Sequence, residues 1–545
     1  MEGNASEGFY YHPINGEYVI GDNFNPSPDS GVKDSFSKSK NITLYSTINY
    51  NHKIGNHDWG VLAGVNGETH KNNSLNARRK WFPSYSIEEL NGGSPIEQEL
   101  GGNSGEWGIL SFFGRLNYAY ASKYLFEANF RYDGTSRIYK DNRWGVFPSF
   151  SGAWRISEES FIKDNCSSWL SNLKLRASWG KLGNQEIGNY AYHDVYHSSN
   201  VVIGGDMLQG MTINSLTDKS LSWEETSITD FGLDMNLFNG KLNLTFDWYN
   251  KITSGILNTA PIPASVGLGA PVVNYGKLRN RGVEFQIGHQ NTIKDFTYGV
   301  SFMATLNKNK VLELRAPSYG NHINEVGLPY GEHYMWEWIG LFQSEEDIKN
   351  SAKHPYKVLP GDLKLKDQND DGIIDGKDRI VVSGRHPKML YSFNLNLGYK
   401  NFDVSAFFQG VTGRKNYTCQ FLIEPFAQGG APTVDYRDAW TPENTDTNVP
   451  ALYEGIPKYK ALQNRSTFFL RDASYLRLKN LQVGYNFPKN WINKIGLKSL
   501  RLYFSGENLL TFSDYPHGDP ERLSEGRHAV YPQLKTYSLG LDVKF

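Results

Sequence analysis

The chain has 545 residues and a formal net charge of −1, so its overall charge gives no attraction for nucleic acid or for an anionic surface. Hydrophobic residues make up 39% of the chain, and no apolar run approaches the roughly 18 residues that a membrane-spanning helix needs. These values argue against a helical membrane protein and predict no nucleic-acid partner.

Aromatic residues are abundant, with 33 Tyr, 30 Phe and 13 Trp. A transmembrane β-barrel has this composition, because each strand turns one apolar face to lipid and one polar face inward, and aromatic girdles lie at both interfaces. A soluble sandwich or propeller is the alternative, and composition alone leaves both open.

The first residues, MEGNASEGFYYHPINGEY (1–18), contain no basic segment followed by an apolar segment, so they are not a signal peptide. A barrel must be exported, and we therefore expect the true start of the protein to be missing. We predict that residues 1–40 are the remnant of an extracellular loop and that 41–545 form the C-terminal part of a barrel.

From residue 41 onward, apolar and polar residues alternate with the period of two that is typical of half-buried strands. About fifteen segments of roughly ten residues, the length of a tilted membrane-spanning strand, show this pattern. The predicted spans are 41–53, 57–70, 107–120, 123–133, 144–156, 171–181, 225–237, 241–256, 279–290, 294–308, 389–399, 402–413, 473–487, 497–509 and 534–545. Polar residues in this phase should line the lumen, either with a specific role or as a general polar wall: Arg115, Glu127, Asn129 and Arg131.

The connections alternate between short and long. Short ones lie near 54–56, 121–122, 238–240, 291–293 and 400–401, and somewhat longer ones at 157–170, with a possible helical turn, and 488–496. Long ones fall at 71–106, 134–143, 182–224, 257–278, 309–388, 414–472 and 510–533. Outer-membrane barrels have short periplasmic turns and long extracellular loops, so the order predicts an all-β, transmembrane antiparallel β-barrel. The first and last predicted strands both run toward the periplasm, so an odd number of strands should be missing upstream.

The long loop 309–388 contains DQNDDGIIDGKD (367–378), which follows the pattern of an EF-hand calcium loop. The predicted ligands are Asp367, Asn369, Asp371, the carbonyl of Ile373, Asp375 and Asp378. Position 12 is Asp rather than Glu, and the preceding PGDLKLK resembles extended chain, so an acidic turn without metal is the alternative. A Ca²⁺ ion here would be structural and would staple the loop.

Aromatic side chains in the long loops are candidates for contact with a ligand or a covering partner, and equally for a small core that folds the loops. They are Tyr334, Trp336, Trp338 and Trp440, together with Tyr436. Catalytic motifs such as HExxH, Walker A, GxSxG and CxxC are absent, so we predict that the chain is not an enzyme. The sequence does not decide whether Cys166 and Cys419 pair.

The last strand, LKTYSLGLDVKF (534–545), keeps its apolar face up to Phe545. Several segments resemble the SusC/RagA family of TonB-dependent outer-membrane transporters of Bacteroidota. They include FGRLNYAYASKYLFEANFRYDGTSRI (113–138), LKLRASWGKLGNQEIGNYAY (173–192), the 360–410 stretch that begins PGDLKLKDQNDDGIIDG, and DASYLRLKNLQVGYNFP (472–488).

The resemblance implies a barrel of 22 strands, of which about 15 are present here, around an N-terminal plug. It also implies import of large nutrients, oligosaccharides or in some members peptides, with a SusD-like surface lipoprotein as lid and TonB acting through the plug. Outer-membrane lipids would surround the barrel. The alternatives are a peptide importer of the same family and a non-transporting surface receptor or adhesin. A secreted soluble β-protein with a calcium loop is a third possibility.

Overall fold

The computed structural model describes residues 8–12, 17–21, 31–82, 89–96, 98–418, 432, 434–452, 465–516, 518–522 and 533–545. Its main feature is one antiparallel sheet of fifteen strands, in which every strand pairs with the strands that precede and follow it in the sheet. These strands are β1 Gly31–Ile54, β2 His57–Lys80, β3 Gln98–Tyr120, β4 Tyr124–Thr135, β5 Trp144–Arg155, β6 Leu170–Asn184, β7 Glu224–Leu237, β8 Leu242–Ser254, β9 Lys277–Ile293, β10 Phe296–Glu313, β11 Met389–Tyr399, β12 Phe402–Thr412, β13 Tyr475–Asn486, β14 Ser499–Phe512 and β15 Thr536–Lys544. The prediction of fifteen strands in an up-and-down order is confirmed.

The first three strands are longer than predicted. β1 begins at Gly31, β2 continues to Lys80 and β3 begins at Gln98. The ladder between β1 and β2 is unbroken from Gly31↔Lys80 to Ile54↔His57. The predicted boundary at residue 40 therefore lies inside a strand, and much of the predicted loop 71–106 is strand. At about 3.3 Å per residue, a strand of 24 residues is about 80 Å long, more than twice the roughly 30 Å thickness of the hydrocarbon core. Beyond the membrane both faces meet water, so the apolar alternation that marks a strand in sequence disappears while the hydrogen-bonded ladder continues.

The short connections lie at one end of the sheet and the long ones at the other, as predicted. The turn after β7 uses left-handed backbone at Phe238, Asn239 and Gly240. The connection after β5 contains a 3₁₀ turn, Ile156–Glu158, and helix α1, Ser160–Cys166. The one after β13 contains helix α3, Lys489–Ile492, and a 3₁₀ turn, Asn493–Ile495. Short turns are periplasmic in outer-membrane barrels, so the other end is extracellular.

The long connections contain small elements of their own. Paired strands are Gly8–His12 with Glu17–Gly21, Tyr196–Ile203 with Asp206–Ile213, Leu257–Thr259 with Val272–Asn274, Trp338–Leu341 with Leu363–Leu365, and Lys415–Tyr417 with Leu470–Asp472. Ser318–Tyr319, His322–Asn324, Glu332–Trp336 and Arg379–Val382 form a four-stranded sheet. Helix α2 is Glu345–Lys349, and further 3₁₀ turns are Leu90–Gly92, Ala264–Val266, Gly376–Asp378, Val434–Asp438 and Thr467–Phe469. In the described ranges no helix is long and apolar enough to cross a membrane.

The two faces of the sheet differ in chemistry. On β4 the side chains of Tyr124, Phe126, Phe130 and Tyr132 point to one face and are exposed. Cross-strand neighbours continue this aromatic face, as in the stacked pair Phe150 and Trp179, whose ring centroids are 6.3 Å apart. The opposite face is polar. We call these the outer and inner faces, since lipid meets the apolar surface and water meets the polar one.

Candidate functional site

The inner face of β3 and β4 carries the polar side chains that the sequence predicts for the lumen. Arg115 pairs across the strands with Asn129, and Asn129 donates a hydrogen bond to Glu127 over 2.8 Å. Arg131 donates two bonds to Asp133, at 3.0 and 3.2 Å. The four predicted residues therefore lie together on one wall, in contact with neighbouring polar groups.

An ion-pair network on the next strands was not predicted. Arg176 of β6 donates to Asp234 of β7 over 2.8 Å and reaches across β7 to Asp247 of β8, also over 2.8 Å. Gly232 lies between Arg176 and Asp247 in the register, and an added Cβ there would be 2.4 Å from Asp247 Oδ1. The glycine thus makes room for a salt bridge that spans three strands.

The same device recurs on β12 to β14. Arg501 forms a short ion pair with Asp403, and Asn486 donates to Asp403 over 2.7 Å. Gly484 lies beneath this pair, because an added Cβ would be 2.5 Å from the Arg501 guanidinium. Each residue lies in the polar phase of its strand, but the sequence does not show which polar residues meet, since that depends on the register.

A groove of about 580 Å³ lies on the periplasmic half of β1 to β7 and includes Arg176 of the first network. Its polar lining consists of Asn51, Asp58, Asn117, Glu127, Ser151, Lys174, Arg176, Ser178 and Asp230. Amides, carboxylates, hydroxyls and cations are all present, so the wall can donate and accept hydrogen bonds with a polar solute or with another polypeptide.

The extracellular aromatic candidates mostly lie inside the folded loops. Trp336 is 4% exposed and its indole N–H donates to the carbonyl of Asp375 over 2.6 Å, while Trp440 is 8% exposed and donates to Gln343 over 3.0 Å. Trp338 is partly buried against the same cluster as Trp440, which includes Leu341, Leu363, Phe468 and Phe469. Their burial favours the interpretation of a loop core.

Tyr334 is only partly buried, and the guanidinium of Arg379 lies over its ring at 4.3 Å from the centroid. Tyr436 lies on the 3₁₀ turn Val434–Asp438. Ligand contact stays a prediction for these residues, and of the four leading candidates Tyr334 and Trp338 are partly exposed.

The calcium-type loop has the backbone turns that its motif predicts. Asp370 and Gly372 have φ of +56° and +79°. The Gly372 amide donates to Asp367 over 2.8 Å, and the carboxylate of the buried Asp378 accepts from the amides of Gln368 and Asp375. Ile374, the apolar position 8, is fully buried beside Trp336 and Leu365.

The fit of a metal to this loop is mixed. Asp367 Oδ1 is buried and has no hydrogen-bond partner, so one ligand oxygen is unused. However, no three His, Cys, Asp or Glu side chains within the described part of the chain converge closely enough to hold a metal ion. The Asp371 and Asp378 oxygens accept amide bonds, and a carboxylate oxygen that does so keeps a second lone pair.

A buried ionic latch joins the extracellular end of β13 to the loop that follows β14. Arg477, 3% exposed, donates to Asp519 over 2.6 Å and to Glu521 over 2.7 Å. Arg414 also donates to the Glu521 carbonyl over 3.1 Å. Burial raises the pKa of Asp519, but the hydrogen bonds from Arg477 and the Glu521 amide, together with the charges of Arg477 and Lys479, outweigh it, so the pKa lies below its ordinary value. Arg477 occupies a polar position of a predicted strand, but its partners come from a loop that had no distinguishing pattern.

Cys166 lies at the end of α1 and Cys419 lies outside the described residues, so their pairing stays open.

The sequence matches the family described as TonB dependent receptor-like, beta-barrel, over residues 3–509. It is 33% identical to TonB-dependent receptor P3 of Formosa agariphila over 540 residues, which cover 94% of this chain and 53% of that protein. It is 29% identical to TonB-dependent receptor SusC of Bacteroides thetaiotaomicron over 557 residues, which cover 98% of this chain and 53% of SusC. The chain thus spans about half the length of the curated relatives it matches.

Among solved structures, the RagAB peptide transporter superposes with a TM-score of 0.82 at 25% identity, over 94% of this chain and 56% of that chain. The predicted resemblance to the SusC/RagA family is confirmed, and so is the outer membrane as its location. The match over 3–509, with the fifteen-stranded sheet, shows that the chain belongs to the TonB-dependent receptor-like β-barrel family.

Proposed function

We propose that this chain forms barrel wall and extracellular loops of a TonB-coupled importer of large nutrients. The observation that carries the proposal is the two-faced sheet: a polar inner wall, with charged networks and a groove of about 580 Å³, continues into long loops that fold at one end only. Because passive porins share both features, the match to the TonB-dependent receptor-like family is what favours coupled import over passive diffusion. TonB would supply energy through a plug, and a SusD-like surface lipoprotein would cover the loops, as the SusC/RagA resemblance implies.

The leading substrate class is oligosaccharides. The inner groove is lined by side chains such as Asn51, Asn117 and Glu127, which can hydrogen-bond to hydroxyl groups. The resemblance to the SusC/RagA family implies oligosaccharides as the usual cargo, and the chain is similar to SusC over 98% of its length. Neither the groove lining nor the likeness to SusC identifies a particular glycan.

Peptides are the second candidate, and one specific observation favours them. The RagAB peptide transporter has the same fold over 94% of this chain. The inner wall carries cations and carboxylates, such as Arg176 and Asp230, that could pair with the termini of a peptide.

A deletion strain tests import and separates the two classes. The gene that encodes this chain is deleted, and growth is measured on a panel of glycans and on a panel of peptides as sole nutrients. We expect loss of growth on one polymer, with normal growth on its monomer, and recovery when the intact gene is restored. Selective loss on peptides would replace the glycan proposal, while normal growth on every polymer would refute import and favour a non-transporting receptor or adhesin.

We also propose that loop 367–378 holds a structural Ca²⁺ through Asp367, Asn369, Asp371, Ile373, Asp375 and Asp378. The ligand spacing, the left-handed turn at Gly372 and the unused oxygen of Asp367 support it. The ion would bring no chemistry and would tie the loop to the buried Ile374.

A further inference from the structure

The outer face of the sheet contains an apolar groove of about 560 Å³ on strands β5 to β8, which we call the wall groove. Its floor is the cross-strand pair of small residues Gly152 and Ala177. The neighbouring rows on either side are bulky, namely Phe150 with Trp179 and Trp154 with Leu175. Phe231 and Phe246 line it further along the sheet. The groove is therefore a notch between two rows of large side chains.

The wall groove lies just inside the periplasmic interface. The indole N–H of Trp154 donates to Glu159 over 3.1 Å, and the hydroxyl of Tyr124 donates to the same carboxylate over 2.7 Å. Tyr and Trp take this position where a barrel meets the headgroups. Gly152 lies two residues further toward the membrane centre, about 7 Å along the strand. The groove consequently faces the hydrocarbon of the periplasmic leaflet.

The rim below the groove is charged. Lys123 pairs with Glu159 over 3.1 Å, while Arg155 and Lys163 pair with Glu158 over 3.0 and 3.3 Å. Three cations and two carboxylates stand side by side, and the Lys163 side chain is 63% exposed. This arrangement can meet the phosphate and the ammonium group of a zwitterionic headgroup together. Trp154 joins the two parts, because its ring lines the groove and its N–H belongs to the rim.

We propose that the wall groove and its rim form a binding site for one phospholipid of the periplasmic leaflet. One acyl chain occupies the notch over Gly152 and Ala177, and the phosphate lies beside Lys163. The groove is continuous with the surface that already faces the membrane, and an empty notch at this depth would forfeit the dispersion contacts of its lining. Lipid acyl chains are the material available there to fill it.

Filling the notch tests the proposal. The double variant Gly152→Leu, Ala177→Leu places side chains where the acyl chain would lie. The fold has room for a side chain at Gly152, since the nearest atom to an added Cβ is the carbonyl oxygen of Leu125, at 3.9 Å. Ala128→Leu is the matched control, because Ala128 shares the outer face of β4 and does not line the groove. Heat-modifiable gel migration confirms that each protein is folded.

The measurement is native mass spectrometry of the whole protein, extracted from its outer membrane in mild detergent and titrated with phosphatidylethanolamine. We expect one tightly retained lipid on the wild type and on Ala128→Leu, and about tenfold weaker retention on the double variant, the effect of roughly two buried methylene groups. Lys163→Gln should also weaken retention, since it removes an exposed cation. Equal retention by the wild type and the double variant would overturn the proposal, whether or not Lys163→Gln weakens retention.

Discussion

The glycine beneath the Arg176 network gives the sharpest stability prediction. In Gly232→Ala, the new Cβ would lie 2.4 Å from Asp247 Oδ1 and 2.5 Å from the Arg176 guanidinium carbon, so the Arg176–Asp247 bridge must open. The Arg176–Asp234 bond on the neighbouring strand can persist. The perturbation therefore removes one charge-assisted hydrogen bond from a largely shielded site, where Arg176 is 29% and Asp247 19% exposed.

The expected magnitude follows from two opposing effects. A hydrogen bond to a charged partner contributes about 1.5–3 kcal/mol. Alanine in a strand interior is about 0.5–1 kcal/mol more favourable than glycine, which offsets part of the loss. We expect Gly232→Ala to lower the free energy of unfolding by about 1–2 kcal/mol.

The assay is urea unfolding of the refolded barrel in lipid vesicles, followed by tryptophan fluorescence. Gly288→Ala is the matched control, because Gly288 lies on the same polar face of β9 and its added Cβ meets Ser301 only at 3.8 Å. It should be neutral or slightly stabilising. In an Asp247→Asn background the Gly232→Ala cost should shrink, since the bridge is already weakened. Equal shifts for Gly232→Ala and Gly288→Ala would refute the steric explanation.

Three further predictions concern the extracellular loops. Arg477→Met should leave Asp519 buried without its partner and lower the local stability of the loop after β14 by about 3–5 kcal/mol. Limited proteolysis after residue 513 would detect this loss, and unchanged cleavage would argue against a latch. Burial lowers the pKa of His354 to about 4 from 6.5, so between these pH values the unfolded loop binds a proton that the folded loop excludes. The stability of the folded loop should therefore be complete above pH 6.5 and fall by at most about 3 kcal/mol toward pH 4. Hydrogen exchange of residues 342–362 measures this, and His354→Phe should abolish the pH dependence. Asp371→Ala should lower protease resistance of loop 309–388 only when calcium is present, and identical rates with and without chelator would count against a bound ion.

Part of the candidate site could be predicted from the sequence. The lumenal phase of Arg115, Glu127, Asn129 and Arg131 follows from period-two alternation, which depends on the strand alone. The meeting of Arg176 with Asp247 does not, because it depends on the register of three strands and on the absence of a side chain at Gly232. The loop aromatics show the same limit: a Trp in a polar loop can face a ligand or a local core, and only the packing of Trp336 and Trp440 distinguishes the two.

The sequence by itself determined the number and order of the strands, the sorting of short and long connections and the family, because alternation against lipid and turn length are local properties of the chain. Tertiary structure decided where β1, β2 and β3 end, since above the membrane water covers both faces and removes the local signal. It also decided which polar residues form ion pairs, where the Arg477 latch lies and where the outer face has its wall groove. Each of these depends on register and on contacts between residues far apart in sequence, which no local pattern encodes.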